Sequence, residues 1–290
     1  GKTPPCTDIV IESGVRRVIV AAHDPFPRVN GKGLEILRAA GVEVATGILE
    51  QEARRLNETF FTFHEKKRPF VTLKWAMSLD GRTSADTGHS MWISCEDSRR
   101  LAHTLRARHD AIAVGLGTVL LDNPRLTVRI KGWRGPQPAV VILDSHLKTP
   151  PDAAAFKSDH NVFIAHGPMH ENSMRKRAET LCRAGAFLIP SALDDQGHVE
   201  IPALLTSLAG HGIQSILVEG GRQVAGSFVK SNLVDKYAVF IAPKIIGGTC
   251  TGSPLCFKGS DRVPENPTLG DIRIQRMGTD FFVEAYPDRI

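Results

Sequence analysis

Apolar positions along this chain recur at two spacings, and the alternation between them outlines a mixed α/β layout. After Cys6 a short amphipathic stretch runs to Gly14, and the β-branched run Val18-Ile19-Val20 leads into the turn-rich Asp24-Pro25-Phe26-Pro27. That pattern predicts helix, strand and loop. Gly33 to Ala40 has helical spacing with Gly41 as its C-cap, Val42 to Ala45 is a short strand, and one helix is expected from about Glu50 to His64. The charged run Glu65-Lys66-Lys67-Arg68 then ends in Pro69 and separates two patterned regions, as a linker would. Domains over 1–68 and 69–290 are therefore expected.

Beyond the linker, Phe70 to Ser78 has the apolar density of a buried strand, followed by a helix over Glu96–Arg108 and strands over Ala111–Gly115 and Ala139–Leu143. Val162–Ala165, a helix near Glu171–Ala184, Ser215–Val218, a helix after Gly221 and Ala238–Ile241 continue the alternation. Phe281–Tyr286 is expected to add an antiparallel strand. The apolar stretch Tyr237–Ile246 offers an exposed strand or an interface.

Composition narrows the class. With 290 residues, 42% hydrophobic and 23% charged, the chain is long enough for a sizeable core, and there is no low-complexity tract or repeat. The net charge of +5 is scattered, with only short basic clusters such as Arg175-Lys176-Arg177, so nucleic-acid binding is not expected. Five cysteines form no dense, even framework, and no apolar run approaches a membrane span, which together predict a cytoplasmic protein. The 11 histidines show no metal-binding spacing and are expected in surface or packing roles.

Three segments can carry chemistry. Ser215-Ile216-Leu217-Val218-Glu219-Gly220-Gly221 is a strand that ends in a carboxylate and two glycines before a helix, the arrangement of a phosphate cradle, although it is not G-x-G-x-x-G and, taken alone, an ordinary βα turn is the favoured reading. Leu73 to Arg82 and Gly88 to Ser94 place polar side chains after a buried strand, where Trp92 either stacks on a flat ring or fills the core. Arg106 and Asp122 to Arg129 bring guanidinium groups to element ends, for a phosphate monoester or for surface ion pairs.

In this order the segments closely resemble the bifunctional deaminase and reductase family of riboflavin biosynthesis, which acts on diaminohydroxyphosphoribosylaminopyrimidine and then on 5-amino-6-(5-phosphoribosylamino)uracil. The markers are Lys74 to Arg82, Trp92-Ile93, Leu105-Arg106-Ala107, Thr118 to Arg129, Leu143-Asp144-Ser145, and Val218 to Gly221 with Ala242-Pro243 downstream. The resemblance implies a dihydrofolate-reductase-like domain, with the C-terminal part of a cytidine-deaminase-like α/β domain in front. It implies NADPH against Ala76, Trp92, Thr118, Asp122, Ser145 and the run Gly221, Arg222, Gln223, Val224, Ala225, Gly226 and Ser227. Substrate contacts fall on Ser90, Arg106, Leu126, Arg129 and Glu219, with Glu219 or a bound water as proton donor. A homodimer is implied as well.

At the front, Cys6 matches a zinc-ligand cysteine of the family's deaminase, while a small buried thiol is the alternative. The His-x-Glu pair and another cysteine of such a site are expected ahead of Gly1, and without them deamination is not expected. Two alternatives stand beside the reductase: a non-catalytic regulatory or scaffolding module, and a reductase of a related pterin or pyrimidine.

Overall fold

The structure is a computed structural model that describes residues 6–26, 29, 31–248, 252–262 and 266–288. The chain divides into two compact units, Gly1–Arg68 and Pro69–Ile290. The motif residues Gly1 to Pro5, Pro27, Arg28 and Asn30, together with Cys250, lie outside the described residues.

In the first unit, α1 (Cys6–Glu12), β1 (Arg17–Val20), α2 (Lys32–Ala39) and β2 (Glu43–Thr46) follow the predicted order, and β1 pairs with β2 in parallel. The single helix expected over 50–64 is instead two, α3 (Glu50–Leu56) and α4 (Glu58–Lys66). Asn57 interrupts it at φ −115° and ψ 30°. Its side-chain amide donates to the Ala53 carbonyl at 3.0 Å, an alternative partner that ends the helical ladder. Arg54 bridges the two helices, pairing with Glu65 at 2.6 Å and lying 4.3 Å over the Phe61 ring.

The second unit contains β3 (Phe70–Ser78), α5 (Glu96–Ala107), β4 (Ala111–Gly115), α6 (Leu116–Asp122), β5 (Ala139–Leu143), β6 (Val162–His166), α7 (Asn172–Arg183), β7 (Ala186–Pro190), α8 (Ile201–Gly210), β8 (Ser215–Val218), α9 (Arg222–Lys230), β9 (Lys236–Ala242), β10 (Leu269–Met277) and β11 (Asp280–Pro287). The strands form one sheet in the order β10-β11-β9-β3-β8-β4-β5-β6-β7. Pairing is parallel from β9 through β7, and β11 and β10 close the other edge antiparallel. Helices on both faces explain why β4 is buried at every position.

On one face Ala113, Val141 and Val218 pack with Leu204, Leu205 and Leu208 of α8 and with Phe228 of α9. Burying a side chain of that size contributes roughly 2–3 kcal/mol. On the other face Val114, Ile142 and Ile164 meet Met174, Ala178 and Leu181 of α7, while Leu105 of α5 packs with Leu217, Phe240 and Phe282. Helix α8 was not apparent from periodicity because Ile201, Leu204, Leu205 and Leu208 leave it with too little polar surface to mark a face.

The apolar stretch around Tyr237 is not an exposed strand. It is β9, held between β3 and β11, with Tyr237, Phe240 and Ala242 buried. The C-terminal hairpin covers the edge that the sequence left open. That hairpin also fixes α5: Asp280 accepts hydrogen bonds from the Cys95 amide and the Ser98 hydroxyl, both at 2.7 Å, and so caps the helix from another strand. Burial opposes ionisation of Asp280, but these bonds hold its pKa below the ordinary value.

Candidate active site

Parallel strands leave their unpaired carbonyl ends, and the turns that follow, at one edge of a sheet, where crevices form. Here β8, β4 and β5 are neighbours, and the turns after all three line a cavity of about 670 Å³. Gly221 has φ +80°, a backbone state that favours glycine, and opens α9 without a side-chain cap. A side chain at Gly220 would stand 2.8 Å from the Thr118 hydroxyl, and one at Gly115 would stand 2.8 Å from Val224. The glycines thus keep a groove open at a helix N-terminus, a position that in general favours an anion. Beyond β5, buried Asp144 accepts from the Thr149 amide at 2.6 Å and its hydroxyl at 2.7 Å, which fixes the Ser145-His146 turn.

On the α5 side of the sheet, Glu219 and Arg106 form a two-pronged ion pair, with Nε and Nη2 each 2.7 Å from a carboxylate oxygen. Arg106 also donates to the Thr127 carbonyl at 3.0 Å. Both side chains are enclosed, at 13% and 7% exposure. Burial alone would raise the Glu219 pKa, but Arg106, with help from Lys74 and His103, brings it down to about 2. Lys74, from the middle of β3, shares this enclosure. Burial lowers its pKa and neighbouring Arg106 lowers it further, against the pull of Glu219. Its ammonium lies 5.6 Å over the Phe240 ring.

The loop after α6 adds more positive charge. Arg129 is exposed; partial desolvation, then Arg106 and Arg125, lower its pKa, with Glu219 acting against them. Its backbone amide donates to His103 Nδ1 at 3.2 Å. Burial, then Arg106 and Arg129, push His103 down to about 4, so its ring is neutral at neutral pH.

These shifts set an acid limit on stability. Between pH 6.5 and about 4 the unfolded chain takes up a proton at His103 that the folded one refuses. Between 4.5 and about 2 the same holds at Glu219. Stability gained above these ranges is lost as pH falls through them. Urea midpoints should therefore decline with acidification, and His103→Gln should flatten the upper part of that decline. An unchanged upper part in the variant would contradict the assignment.

The structure gathers many of the residues expected from sequence and separates others. Thr118, Asp122, Ser145, Gly221, Arg222, Gln223, Val224 and Ser227 line the cavity. Ala225 and Gly226 do not: the helical period turns Ala225 into the core and Gly226 against the Cys256 backbone, where a Cβ would lie 2.3 Å from a carbonyl oxygen. Ala76 is half-buried in β3, and Ser90 sits in the turn before α5; neither lines the cavity. Trp92 neither fills the core nor lines the cavity. It is 63% exposed, with Arg99 stacked 4.6 Å from its ring. Leu126 is 2% exposed with φ +54°, so its side chain belongs to the core and only its backbone is available. Arg106 holds Glu219 and has its fork occupied, whereas Arg125 and Arg129 of the loop after α6 are exposed.

Sequence reasoning missed the roles of Lys74 and His103, and also His146 and His198, which line the cavity. A lysine inside the apolar run Phe70–Ser78 was the available signal for the first. For the others, spacing held none. Cys6 is exposed, and no group of three potential metal ligands occurs among the described residues, so these residues do not by themselves fit zinc. No helix among them is long and apolar enough to cross a membrane.

Known proteins match this arrangement. The family model described as the RibD C-terminal domain matches residues 69–283. The riboflavin biosynthesis protein RibD of Bacillus amyloliquefaciens is 40% identical, over 99% of this chain and 76% of that one. Among solved structures, RibD of Acinetobacter baumannii superposes with a TM-score of 0.83 at 28% identity, covering 100% of this chain and 78% of that one. The Thermotoga maritima diaminohydroxyphosphoribosylaminopyrimidine deaminase/5-amino-6-(5-phosphoribosylamino)uracil reductase does so at 0.79 and 34%, covering 99% and 76%. The mixed α/β fold of the second unit is the reductase-domain fold of these proteins. This chain belongs to the RibD family of riboflavin biosynthesis, and residues 69–283 form its reductase-type domain.

Proposed function

We propose that this enzyme uses NADPH to reduce 5-amino-6-(5-phosphoribosylamino)uracil to its ribitylamino product. The carrying observation is the turn Glu219-Gly220-Gly221, where an ion-paired carboxylate on the α5 side adjoins an open, glycine-lined groove at a helix N-terminus. Gly220 and Gly221, with the first amides of α9, would hold the cofactor's pyrophosphate, and Thr118, Asp122 and Ser145 would flank it. When bound, the cofactor supplies the hydride for the sugar C1 carbon.

The protein's own residues orient the substrate and move a proton. As hydride reaches C1 the bond from C1 to the ring oxygen breaks, and that oxygen takes up a proton. Glu219 is a poor donor, because Arg106 holds it ionised. Lys74 suits the task better: its burial weakens its hold on a proton, and it lies beside Glu219. Glu219 then acts as an acceptor for pyrimidine N–H groups, and Arg129, with Arg125, faces the phosphate.

Arg129→Ala tests this division. Steady-state kinetics should show substrate use weakened by about 1–3 kcal/mol, the loss of a charge-assisted hydrogen bond, with much less change in NADPH affinity. Equal damage to both would remove Arg129 from the substrate side. The unit Gly1–Arg68 completes the reading as the C-terminal part of a zinc deaminase domain, supported by alignments that extend over 99% of the chain. A cytoplasmic homodimer belongs to the same reading.

A further inference from the structure

Two loops leave the sheet side by side beyond the end of β8. Strand β3 pairs with β8 only as far as Leu73, but with β9 as far as Ser78 and Ala242. From there residues 79–95 run to α5, and residues 243–248 follow β9. The two segments stay joined. The Leu79 amide donates to the Lys244 carbonyl at 2.9 Å, and Lys244 Nζ donates to the Trp92 carbonyl at 2.6 Å. Arg82 Nη2 donates to the Gly248 carbonyl. Farther on, the Thr83 amide and hydroxyl both donate to the Gly252 carbonyl, at 2.8 and 3.0 Å.

Asp80 makes the tightest part of this join. Its Oδ1 accepts from the Ser78 hydroxyl at 2.5 Å and from the Ile246 amide at 3.2 Å, and its Oδ2 accepts from the Gly247 amide at 2.7 Å. Successive amides turned toward one carboxylate form a small anion-binding concavity, a shape that uses left-handed backbone. Gly247 at φ +69° and Gly248 at φ +98° supply it, and a Cβ at Gly248 would stand 2.7 Å from the Asp86 carboxylate. The Ser78 hydroxyl and then the Gly247 amide bring the Asp80 pKa down to about 2 against desolvation. Asp80 is exposed, so its bonds tie the two loops together and support no core.

We propose that Asp80 is a positioning residue for the reductase reaction: by gripping the Ile246-Gly247 amides it places Lys244, and Lys244 fixes the Trp92 end of the 79–95 loop. Trp92 has little packing of its own, being 63% exposed with Arg99 over its ring, so its backbone is held from outside. Ser90 and Trp92 are the residues of this loop expected to meet substrate and cofactor. The role therefore rests on the reductase reading above. Hydride transfer depends on alignment, and a misplacement of about 1 Å can cost roughly 10²-fold in rate.

The test compares the unmodified full chain with Asp80→Ala and Lys244→Met, each carrying fluorotryptophan at its three tryptophans, Trp75, Trp92 and Trp133. In fluorine NMR the Trp92 resonance, assigned through Trp92→Phe, should shift or broaden in both variants while those of Trp75 and Trp133 stay in place. The kcat for NADPH oxidation should fall by roughly 10–10²-fold in Asp80→Ala. Its urea midpoint should match that of the unmodified protein, because the bonds lost are exposed. An unmoved Trp92 resonance, a normal kcat, or a midpoint that falls together with activity overturns the proposal and leaves the reductase reading standing. Absence of substrate-dependent NADPH oxidation in the unmodified protein overturns the two together.

Discussion

Arg106→Ala is expected to cost the folded protein about 3–5 kcal/mol and to remove its reductase activity, because it strands the Glu219 carboxylate in an enclosed site. At 13% and 7% exposure the pair is poorly reached by water, and no second guanidinium bonds Glu219 among the described residues. Glu219→Gln should be milder in stability, since an amide still accepts from Arg106 while carrying no charge to strand. Replacing both residues with methionine should recover most of the stability lost by Arg106→Ala, because no lone charge is left, and none of the activity. Urea unfolding of the three variants checks the first set of values and NADPH turnover the second. If Arg106→Ala unfolded at the normal midpoint, the pair would be ornamental.

Lys74→Met carries the other large effect. Methionine fills a similar volume but offers no proton, so kcat should fall by roughly 10²–10⁴, the usual contribution of a placed acid, while NADPH affinity changes little. The loss should also remove from the pH profile the limb that reports the Lys74 ammonium, whose pKa burial sets below the ordinary lysine value. If kcat were normal and only KM rose, Lys74 would be a binding group and the proton would come from elsewhere.

Much of the fold was legible because a parallel sheet covered on both faces writes its strands as apolar runs: Phe70–Ser78, Ala111–Gly115, Ala139–Leu143 and Ser215–Val218 are observed at those bounds. What was missed had a mixed or weak period. Helix α8 is apolar on too many sides, and β10 is exposed over most of its length, so neither presents a clean alternation. The break at Asn57 depends on one side-chain hydrogen bond inside an otherwise helical pattern.

The site divided along similar lines. Local motifs gave the Gly220-Gly221 turn and its neighbours Thr118 and Ser145, since adjacent strand ends bring together what short segments encode. Which arginine is engaged and which is exposed was not encoded locally. The Arg106 and Glu219 pair joins a position on α5 to the residue just past the end of β8, and only their meeting shows that Arg106 is committed and that Glu219 stays ionised. The surroundings of Trp92 are likewise set at a distance in sequence, by Arg99 on the following helix and by Lys244, which donates to its carbonyl at 2.6 Å.

The most direct test of the account is to mix this chain with NADPH and 5-amino-6-(5-phosphoribosylamino)uracil and follow nucleotide absorbance while identifying the product. The account predicts oxidation of NADPH that requires the substrate, in equal amount to ribitylamino product formed, and that is lost in Lys74→Met. Tight NADPH binding without any substrate-dependent oxidation by the folded protein, or turnover only with a different pterin or pyrimidine, would contradict it.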